Sequence, residues 1–201
     1  TEAEKLKALM HLFSKTAIEV CEGQQFDMNF ENSDSVTVED YIHMITYKTA
    51  VLLGCSLKMG AICAEAHPDD ANHIYEFGKH LGIAFQLMDD LLDAYAEGDT
   101  FGKQVGGDII ANKKTFLLLQ ARKVASPTQL KELDNLLSLE DDSKIQPVME
   151  IYKSCNVDDW AKKLKQKYFS IAMDHLEEVA VLSNRKKSLE DLALYLMERD
   201  V

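Results

Sequence analysis

The segment that decides the fold reads FQLMDDLLD at positions 85–93 and places Asp89, Asp90 and Asp93 among apolar side chains. On a helix of 3.6 residues per turn, Asp89 and Asp93 lie one turn apart on the same face. Like charges at this spacing cost about 0.2–0.5 kcal/mol on an exposed helix and more where water is excluded. A hard cation reverses this cost, because Mg²⁺ takes carboxylate, water and phosphate oxygens as ligands. The segment therefore predicts a helix wall that binds metal and phosphate; an acidic last turn of a helix is the alternative.

The residues before this segment predict a buried helix with one polar stripe. Residues on one stripe of a helix are three or four positions apart, and going back from Asp93 this spacing gives Asp89, Gln86, Gly82 and Lys79. Apolar residues occupy most of the other directions. A helix that is apolar over most of its circumference is buried. Its polar stripe must therefore face other protein or an internal cavity.

Length and charge limit the possible functions. The chain has 201 residues, 46% of them hydrophobic, which is enough to bury one core and predicts one domain. Its net charge is −12, so the phosphate backbone of a nucleic acid would be repelled and we expect no nucleic-acid partner. An anionic substrate would have to be bound locally, by a metal ion and lysine side chains.

The cysteines and the hydropathy pattern indicate a cytoplasmic protein. The four cysteines (Cys21, Cys55, Cys63 and Cys155) form no C-x-x-C pair, which is typical of buried thiols in a reducing compartment and excludes a zinc knuckle. The longest apolar run, 49–57, is much shorter than the roughly 20 residues that a membrane span requires. We therefore expect no membrane span.

The local sequence signals predict an all-α fold. Only 3 prolines and 9 glycines interrupt long stretches of 3.6-residue periodicity, and no alternating strand pattern is present. Thr37 is a predicted N-cap, His67-Pro68 a predicted stop and Asp69 the next predicted cap. A glycine-rich loop is expected over 98–108. The predicted helices cover 2–21 (ended by Gly23), 37–66, 69–96, 111–125, one from Ser126-Pro127, 143–155, 157–182 and 185–200.

Two lysines are candidate anion ligands. The predicted second helix has one face formed by Tyr41, Ile45, Lys48, Leu52, Cys55 and Met59, and Lys48 is its only charge. Such a lysine either extends its amine to solvent or binds an anion. Lys103 lies in the glycine-rich loop. The loop is not a nucleotide-binding P-loop, because no strand precedes it and Gln104 stands where that motif needs Ser or Thr.

Five motifs in order resemble the trans-isoprenyl diphosphate synthase family over essentially the whole chain. A lone D-D-x-x-D is a weak signal, but this order makes chance similarity improbable. The motifs are Gly23-Gln24-x-x-Asp27, Lys48-Thr49-Ala50, Phe85-Gln86 with Asp89-Asp90-x-x-Asp93, Gly102-Lys103-x-x-Gly106-x-Asp108-Ile109, and Asn112-Lys113-Lys114-Thr115, followed by the ending 184–199.

The resemblance implies an isoprenoid synthase-type helical bundle around a central cavity. It implies a Mg²⁺-dependent prenyltransferase that adds isopentenyl diphosphate head-to-tail to an allylic diphosphate and releases pyrophosphate, in a cytoplasmic homodimer. The departing pyrophosphate would take the proton. The resemblance also implies the roles of individual residues. The implied metal ligands are Asp89, Asp90 and Asp93, and the implied diphosphate contacts are Lys48, Lys103 and Lys113. Thr49 and Gln86 would face the developing carbocation. Gln24 and Asp27 would contribute to substrate binding, and Asp108 would be a supporting hydrogen-bond acceptor.

The sequence also departs from the family pattern. The family has a first aspartate-rich motif, followed by an arginine pair, and both would precede Thr1. Pro68-Asp69-Asp70 is no substitute, because His73 stands where a third aspartate is needed. We therefore expect residues 1–201 to form a single partial prenyl-synthase domain that lacks N-terminal helices and is inactive on its own.

Two other functions stay open at this point. A non-catalytic prenyl-synthase-like subunit or scaffold could use the same helices for pairing. However, lysines and buried carboxylates are costly without a ligand. A terpene cyclase or a carboxylate-bridged metal protein is a weaker alternative, since the sequence has no Glu-x-x-His pairs.

Overall fold

A computed structural model describes residues 1–95 and 105–198, and this part of the chain is helical without strands. The all-α prediction is therefore confirmed. The elements are α1 (Glu2–Glu31), α2 (Val38–Ile45), a π-helical segment (Thr46–Ala50), α3 (Val51–Cys63), α4 (Pro68–Tyr95), α5 (Gly107–Ile110), α6 (Phe116–Val124), α7 (Pro127–Leu137), a 3₁₀ turn (Asp142–Lys144), α8 (Ile145–Ser154), α9 (Val157–Glu178) and α10 (Ser183–Met197).

Helix α4 is the centre of the fold. It packs along α9 on one side and along α3 on the other, and most of its side chains between Phe77 and Ala94 are buried, as its apolar sequence predicts. One core cluster joins it to α2, α6 and α8, and a second joins it to α9 and α10 around Phe77 and Leu176. The metal-binding wall predicted at 85–93 thus lies on a rigid central helix.

The prediction that Gly23 ends the first helix is wrong, because α1 continues to Glu31. Gly23 is buried, and a Cβ atom there would lie 2.7 Å from the Cα atom of Lys48. The missing side chain therefore allows α1 and the π-helical segment to touch through their backbones. As a result, the Gly-Gln-x-x-Asp motif lies within α1 instead of after it.

The predicted helix 37–66 is present but is not uniform. Thr37 caps α2 as predicted, in a capping box with Asp40. The π-helical segment then inserts an extra residue per turn, so a 3.6-residue spacing does not hold through it. Of the residues predicted to share the face of Lys48, Cys55 beyond the segment is buried, whereas Leu52 is 50% exposed. Lys48 and Thr49 both lie in this segment.

Four smaller predictions need correction. Helix α4 begins at Pro68, so Asp69 lies in its first turn instead of capping it. The helix predicted from Ala111 begins only at Phe116, after the short α5 and a turn in which Asn112 adopts a φ of +51°. The helices predicted over 157–182 and 185–200 end at Glu178 and Met197. Cys21 and Cys63 are exposed, not buried.

Within the described ranges, none of the helices combines the length and the apolar character needed to cross a bilayer.

Candidate active site

Lys48 and Lys113, two of the residues predicted to bind diphosphate, lie where α1, the π-helical segment, α4 and the turn after α5 meet. A narrow cavity of about 70 Å³ lies between these elements. Its walls include Asp27, Lys48, Gln86, Asp90, Asp108 and Lys113. Sequence positions that are up to 86 residues apart, from 27 to 113, therefore contribute to one site.

Lys48 forms an ion pair with Asp27 across this site. The Lys48 Nζ atom lies 2.5 Å from Asp27 Oδ2, and both side chains are about one third exposed. The close contact at Gly23, one turn before Asp27, holds α1 against the backbone of Lys48. The amine therefore points into the site and does not extend away into solvent. Gln24, on the same helix, is exposed and does not line the cavity.

Thr49, Gln86 and Asp90 form a chain of hydrogen bonds along one wall. The Thr49 hydroxyl donates to Gln86 Oε1 at 3.3 Å, and Gln86 Nε2 donates to Asp90 Oδ1 at 3.4 Å. These bonds fix the orientation of the Gln86 amide. An oriented amide presents a fixed dipole to any ligand in the cavity.

Asp90 is the most deeply buried of the three aspartates, at 5% exposure. The Tyr41 hydroxyl donates to its Oδ2 atom at 2.5 Å, and the backbone N–H of Phe116 donates to the same atom at 3.4 Å. Burial raises the pKa of Asp90 to about 7, against the opposing effect of the Tyr41 hydrogen bond. Its side chain thus ties α4 to α2 and to the start of α6.

Asp93 fixes the turn that carries α5. Its Oδ2 atom accepts a hydrogen bond from the Asp108 N–H at 2.9 Å, and its carbonyl accepts from the Gly106 N–H at 2.7 Å. Gly106 has a φ of +81°, which favours glycine at the start of this turn. Burial raises the pKa of the Asp93 carboxyl.

Asp108 and Lys113 form the second ion pair at the site, with Nζ and Oδ1 2.5 Å apart. The hydrogen bond to Asp108 raises the pKa of Lys113, so this amine is firmly protonated at neutral pH. Together with Asp27 and Lys48, the site holds two lysine–carboxylate pairs next to the α4 wall.

The three aspartates differ in their surroundings. Asp89 is partly exposed, Asp93 is about half buried and Asp90 is enclosed. In the described part of the chain, their oxygen atoms do not form a set within 4.8 Å of one another. Asp89 and Asp93 keep the one-turn spacing on α4 that the sequence predicts.

A family model described as polyprenyl synthetase matches residues 1–155. The chain belongs to this family. The resemblance to trans-isoprenyl diphosphate synthases, inferred from five motifs, is therefore confirmed.

Relatives in this family have similar sequences over almost the whole chain. A short chain isoprenyl diphosphate synthase from Methanothermobacter thermautotrophicus is 30% identical over 99% of this chain, which covers 61% of that protein. One from Methanocaldococcus jannaschii is 35% identical over 98% of this chain and is covered over 59% of its length. The chain thus spans about six tenths of the length of the relatives it matches.

Solved structures confirm the isoprenoid synthase fold. A geranylgeranyl pyrophosphate synthase superimposes with a TM-score of 0.91 at 40% identity, over 98% of this chain and 62% of that one. A geranylgeranyl pyrophosphate synthetase from Pyrococcus horikoshii Ot3 gives a TM-score of 0.90 at 29% identity, over 98% of this chain and 60% of that one.

The structure brings together most, but not all, of the residues predicted for this polyprenyl synthetase site. Asp27, Lys48, Gln86, Asp90 and Lys113 line one cavity, and Thr49 contacts Gln86. The other two predicted metal ligands, Asp89 and Asp93, are not among the residues that line it. Lys103 lies outside the described residues. The sequence places Tyr41 only on the helix face that carries Lys48. The available signal for its contact with Asp90 is its hydroxyl, since a buried tyrosine hydroxyl usually finds a hydrogen-bond partner.

Proposed function

We propose that residues 1–201 belong to a single prenyltransferase domain and form the diphosphate-binding side of its active site. The reaction is the head-to-tail condensation of an allylic diphosphate with isopentenyl diphosphate, with release of pyrophosphate. Support comes from the family membership and from relatives named geranylgeranyl and geranylfarnesyl diphosphate synthases. The relatives are longer than this chain, so the assignment rests on the site that this chain itself carries.

The observation that carries the proposal is the pair of lysines at the α4 wall. The Nζ atoms of Lys48 and Lys113 each lie 2.5 Å from a carboxylate oxygen. A diphosphate supplies stronger and more numerous acceptor oxygens than either aspartate. Exchange of Asp27 and Asp108 for phosphate oxygens would let both amines bind one anion. Lys103, from the glycine-rich loop, is proposed as a third diphosphate contact.

The donor atoms on α4 fit Mg²⁺. Asp89 and Asp93 offer carboxylate oxygens one turn apart, and the Asp93 Oδ1 atom is not the one that accepts from Asp108. Mg²⁺ prefers such oxygen ligands and completes its octahedron with water and phosphate oxygens. The ion would supply positive charge to the leaving diphosphate. Asp90, the third ligand that the motif implies, would coordinate through Oδ1, which accepts only the 3.4 Å bond from Gln86, because its Oδ2 atom accepts from Tyr41.

Other residues would act on the organic part of the substrate. Ionisation leaves positive charge on the allylic carbon atoms, and oxygen atoms with fixed positions stabilise this charge. Thr49 and Gln86 are proposed for this role because their hydrogen bond holds the Gln86 amide in place. Gln24 and Asp27 are proposed to contribute to substrate binding from α1. The pyrophosphate that leaves is proposed to take the final proton.

Quaternary structure and location follow the family as proposals. Helix α1 exposes Leu6, Met10 and Phe13, which lie on one helical face and suit a homodimer contact. Light scattering on the purified chain tests that proposal, because a homodimer has twice the mass of one chain. A cytoplasmic location is proposed from the family resemblance.

Binding of an allylic diphosphate analogue tests the proposed function. In geranyl thiolodiphosphate, sulfur replaces the oxygen atom that joins the geranyl group to the diphosphate. This analogue ionises slowly, so its binding can be measured by calorimetry. We expect binding to require Mg²⁺ and to weaken at least about tenfold in Lys48→Met, because a charge-assisted hydrogen bond is lost. Lys58→Met, on α3 outside the cavity, is the matched control.

The assay also separates the alternatives. Equal affinity with and without Mg²⁺, or equal loss in the Lys48→Met and Lys58→Met variants, would count against the proposed site. Absence of binding under all conditions would favour the non-catalytic subunit, which the comparisons do not support.

A further inference from the structure

A second cluster of ligand-type side chains lies on α4 and α9, away from the diphosphate site. Glu76, His80 and His175 each offer one ligand atom, and the three atoms lie within 4.8 Å of one another. All three residues are partly buried. In the parts of the chain that the structure describes, this is the cluster of His, Cys, Asp or Glu side chains that meets a metal-ligand geometry.

A third histidine, outside the cluster, contacts His175. His73, one turn before Glu76 on α4, places its Nδ1 atom 3.1 Å from Nδ1 of His175. If His175 Nδ1–H donates in this bond, the Nε2 lone pair of His175 is left available. A hydrogen bond that fixes the tautomer of a coordinating imidazole is a regular feature of metal sites.

His80 is also prepared for coordination. Its Nδ1 atom lies 2.9 Å from the carbonyl oxygen of Glu76 and 3.6 Å from Glu76 Oε2, so in the neutral ring Nδ1 carries the hydrogen atom and Nε2 holds the lone pair. The ring stacks on His175, with centroids 5.6 Å apart, and packs on Tyr168. These contacts limit its rotation.

One cation competes for the carboxylate. Lys79 Nζ lies 2.5 Å from Glu76 Oε2, while Glu76 has a second oxygen atom. The Lys79 amine also lies 5.8 Å from the ring centroid of Tyr75, so it has another favourable contact available. Glu76 therefore retains one donor atom for a metal ion.

We propose that Glu76, His80 and His175 bind one Zn²⁺ ion that links α4 to α9, with water in the fourth position. Two imidazoles and one carboxylate suit Zn²⁺, whereas Mg²⁺ prefers oxygen ligands alone. Tetrahedral bonds of about 2.1 Å place ligand atoms about 3.4 Å apart, so the side chains need only small rotations from their present separation.

The ion would stabilise the fold without entering the transfer reaction. His80 precedes Asp89 by nine residues, or about 14 Å along the helix axis. A ligand that binds only the folded state raises its stability by mass action. Because α4 also carries the aspartates, the zinc site would hold that helix in place against α9, the helix with which it packs most extensively. The inference does not depend on the proposed function.

Zinc titration of the purified chain tests the proposal. Excess Mg²⁺ is kept in the buffer so that oxygen-only sites are filled. We expect one Zn²⁺ per chain, an increase in the melting temperature on addition of Zn²⁺, and at least about tenfold weaker binding in His175→Gln and in Glu76→Gln. His11→Gln, an exposed histidine on α1, is the control and should bind as the parent chain does.

Cobalt substitution supplies a second measurement that does not depend on variants folding well. Co²⁺ in a tetrahedral site with nitrogen and oxygen donors gives strong visible absorption, and this band should disappear in His80→Gln while far-ultraviolet circular dichroism stays unchanged. The weak spectrum of a six-coordinate ion would overturn the proposal. So would a thiolate charge-transfer band, since it would place the ion on the exposed cysteines, or zinc affinity that is equal in the His175→Gln and His11→Gln variants.

Discussion

Gly23 shows how one residue determines the position of Lys48. A Cβ atom at this position would approach the Lys48 backbone to 2.7 Å at Cα, so α1 would have to move away from the π-helical segment. We expect Gly23→Ala to lower the free energy of unfolding by about 1–3 kcal/mol, as other overpacking substitutions do. Urea denaturation measures this change.

Gly60→Ala is the matched control for that substitution. Gly60 lies in α3, and apart from its chain neighbours and the backbone of its own helix no atom lies within 4 Å of the place that a Cβ atom would take there. Alanine at this position should therefore raise stability by about 0.5–1 kcal/mol through helix propensity alone. Equal effects of the two substitutions would contradict the close-packing explanation.

Tyr41 provides a second test at the scale of a single residue. Its hydroxyl donates to Asp90 at 2.5 Å inside the core. Tyr41→Phe leaves the carboxylate with poorer hydrogen bonding, which should cost about 1–3 kcal/mol of folding stability. Chemical denaturation should show this loss for Tyr41→Phe and almost none for Tyr195→Phe, since Tyr195 is 70% exposed. A stable Tyr41→Phe variant would indicate that Asp90 is not anchored by this bond.

Of the properties of the site, the identities of its residues were the easiest to predict from the sequence. Lys48, Gln86 and Lys113 were found through motifs whose chemistry needs those residue types, and the structure places all three at one cavity. Gly23 was misread as a helix stop, because a glycine within a helix and one that ends it look alike until the partner helix is known. Tyr41 was missed for the same reason: its partner is 49 residues away.

At the scale of elements, the turn between α5 and α6 is held by Lys144. This lysine is 1% exposed, and its amine donates to Asn112 Oδ1 at 2.8 Å and to the Leu139 carbonyl at 2.9 Å. Asn112 in turn donates to the Leu137 carbonyl at 2.9 Å. The turn that carries Lys113 is thus fastened to the segment that follows α7.

Lys144→Met should loosen this turn. The amine of the buried Lys144 is lost together with its hydrogen bonds to two partly buried acceptors, which should lower the free energy of unfolding by about 1–3 kcal/mol. Affinity for the allylic analogue should also fall, because Lys113 follows Asn112 directly. Lys153→Met, on an exposed position of α8, should change neither quantity. Calorimetry measures the affinity and chemical denaturation measures the stability of the two variants. Unchanged analogue binding in Lys144→Met would show that this turn does not contribute to the site.

Element boundaries were predicted less well than element types. The existence of the helices followed from periodicity, but a 3.6-residue pattern cannot reveal a π-helical insertion, and Leu52 was therefore assigned to the wrong face. The start of α6 was placed five residues too early. The turn before it depends on Asn112 at positive φ and on Lys144, a contact 32 residues away in sequence.

At the scale of the whole molecule, the family and the fold were predictable because several motifs occur in one order along the chain. The deep burial of α4 was also predictable, since its sequence is apolar around most of the helix. The different environments of Asp89, Asp90 and Asp93 were not. They depend on which neighbouring helix each carboxylate faces, and only the tertiary packing determines this.

The central claim is that the carboxylates of α4 and a diphosphate share divalent cations. Coupling between two ligands is reciprocal, so Mg²⁺ must raise the affinity for inorganic pyrophosphate if both bind at this site. The test compares two double variants that remove the same charge. One combines Asp89→Asn with Asp93→Asn. The control combines Asp34→Asn with Asp159→Asn, at two exposed positions that are distant in sequence from α4.

The decisive measurement is the calorimetric affinity for pyrophosphate at increasing Mg²⁺ concentration, corrected for formation of the free magnesium complex. We expect Mg²⁺ to strengthen binding at least about tenfold, a coupling of about 1.4 kcal/mol, in the parent chain and in the control double variant. The Asp89→Asn, Asp93→Asn variant should lose this coupling. Equal coupling in both double variants would show that Asp89 and Asp93 do not bind the shared ions.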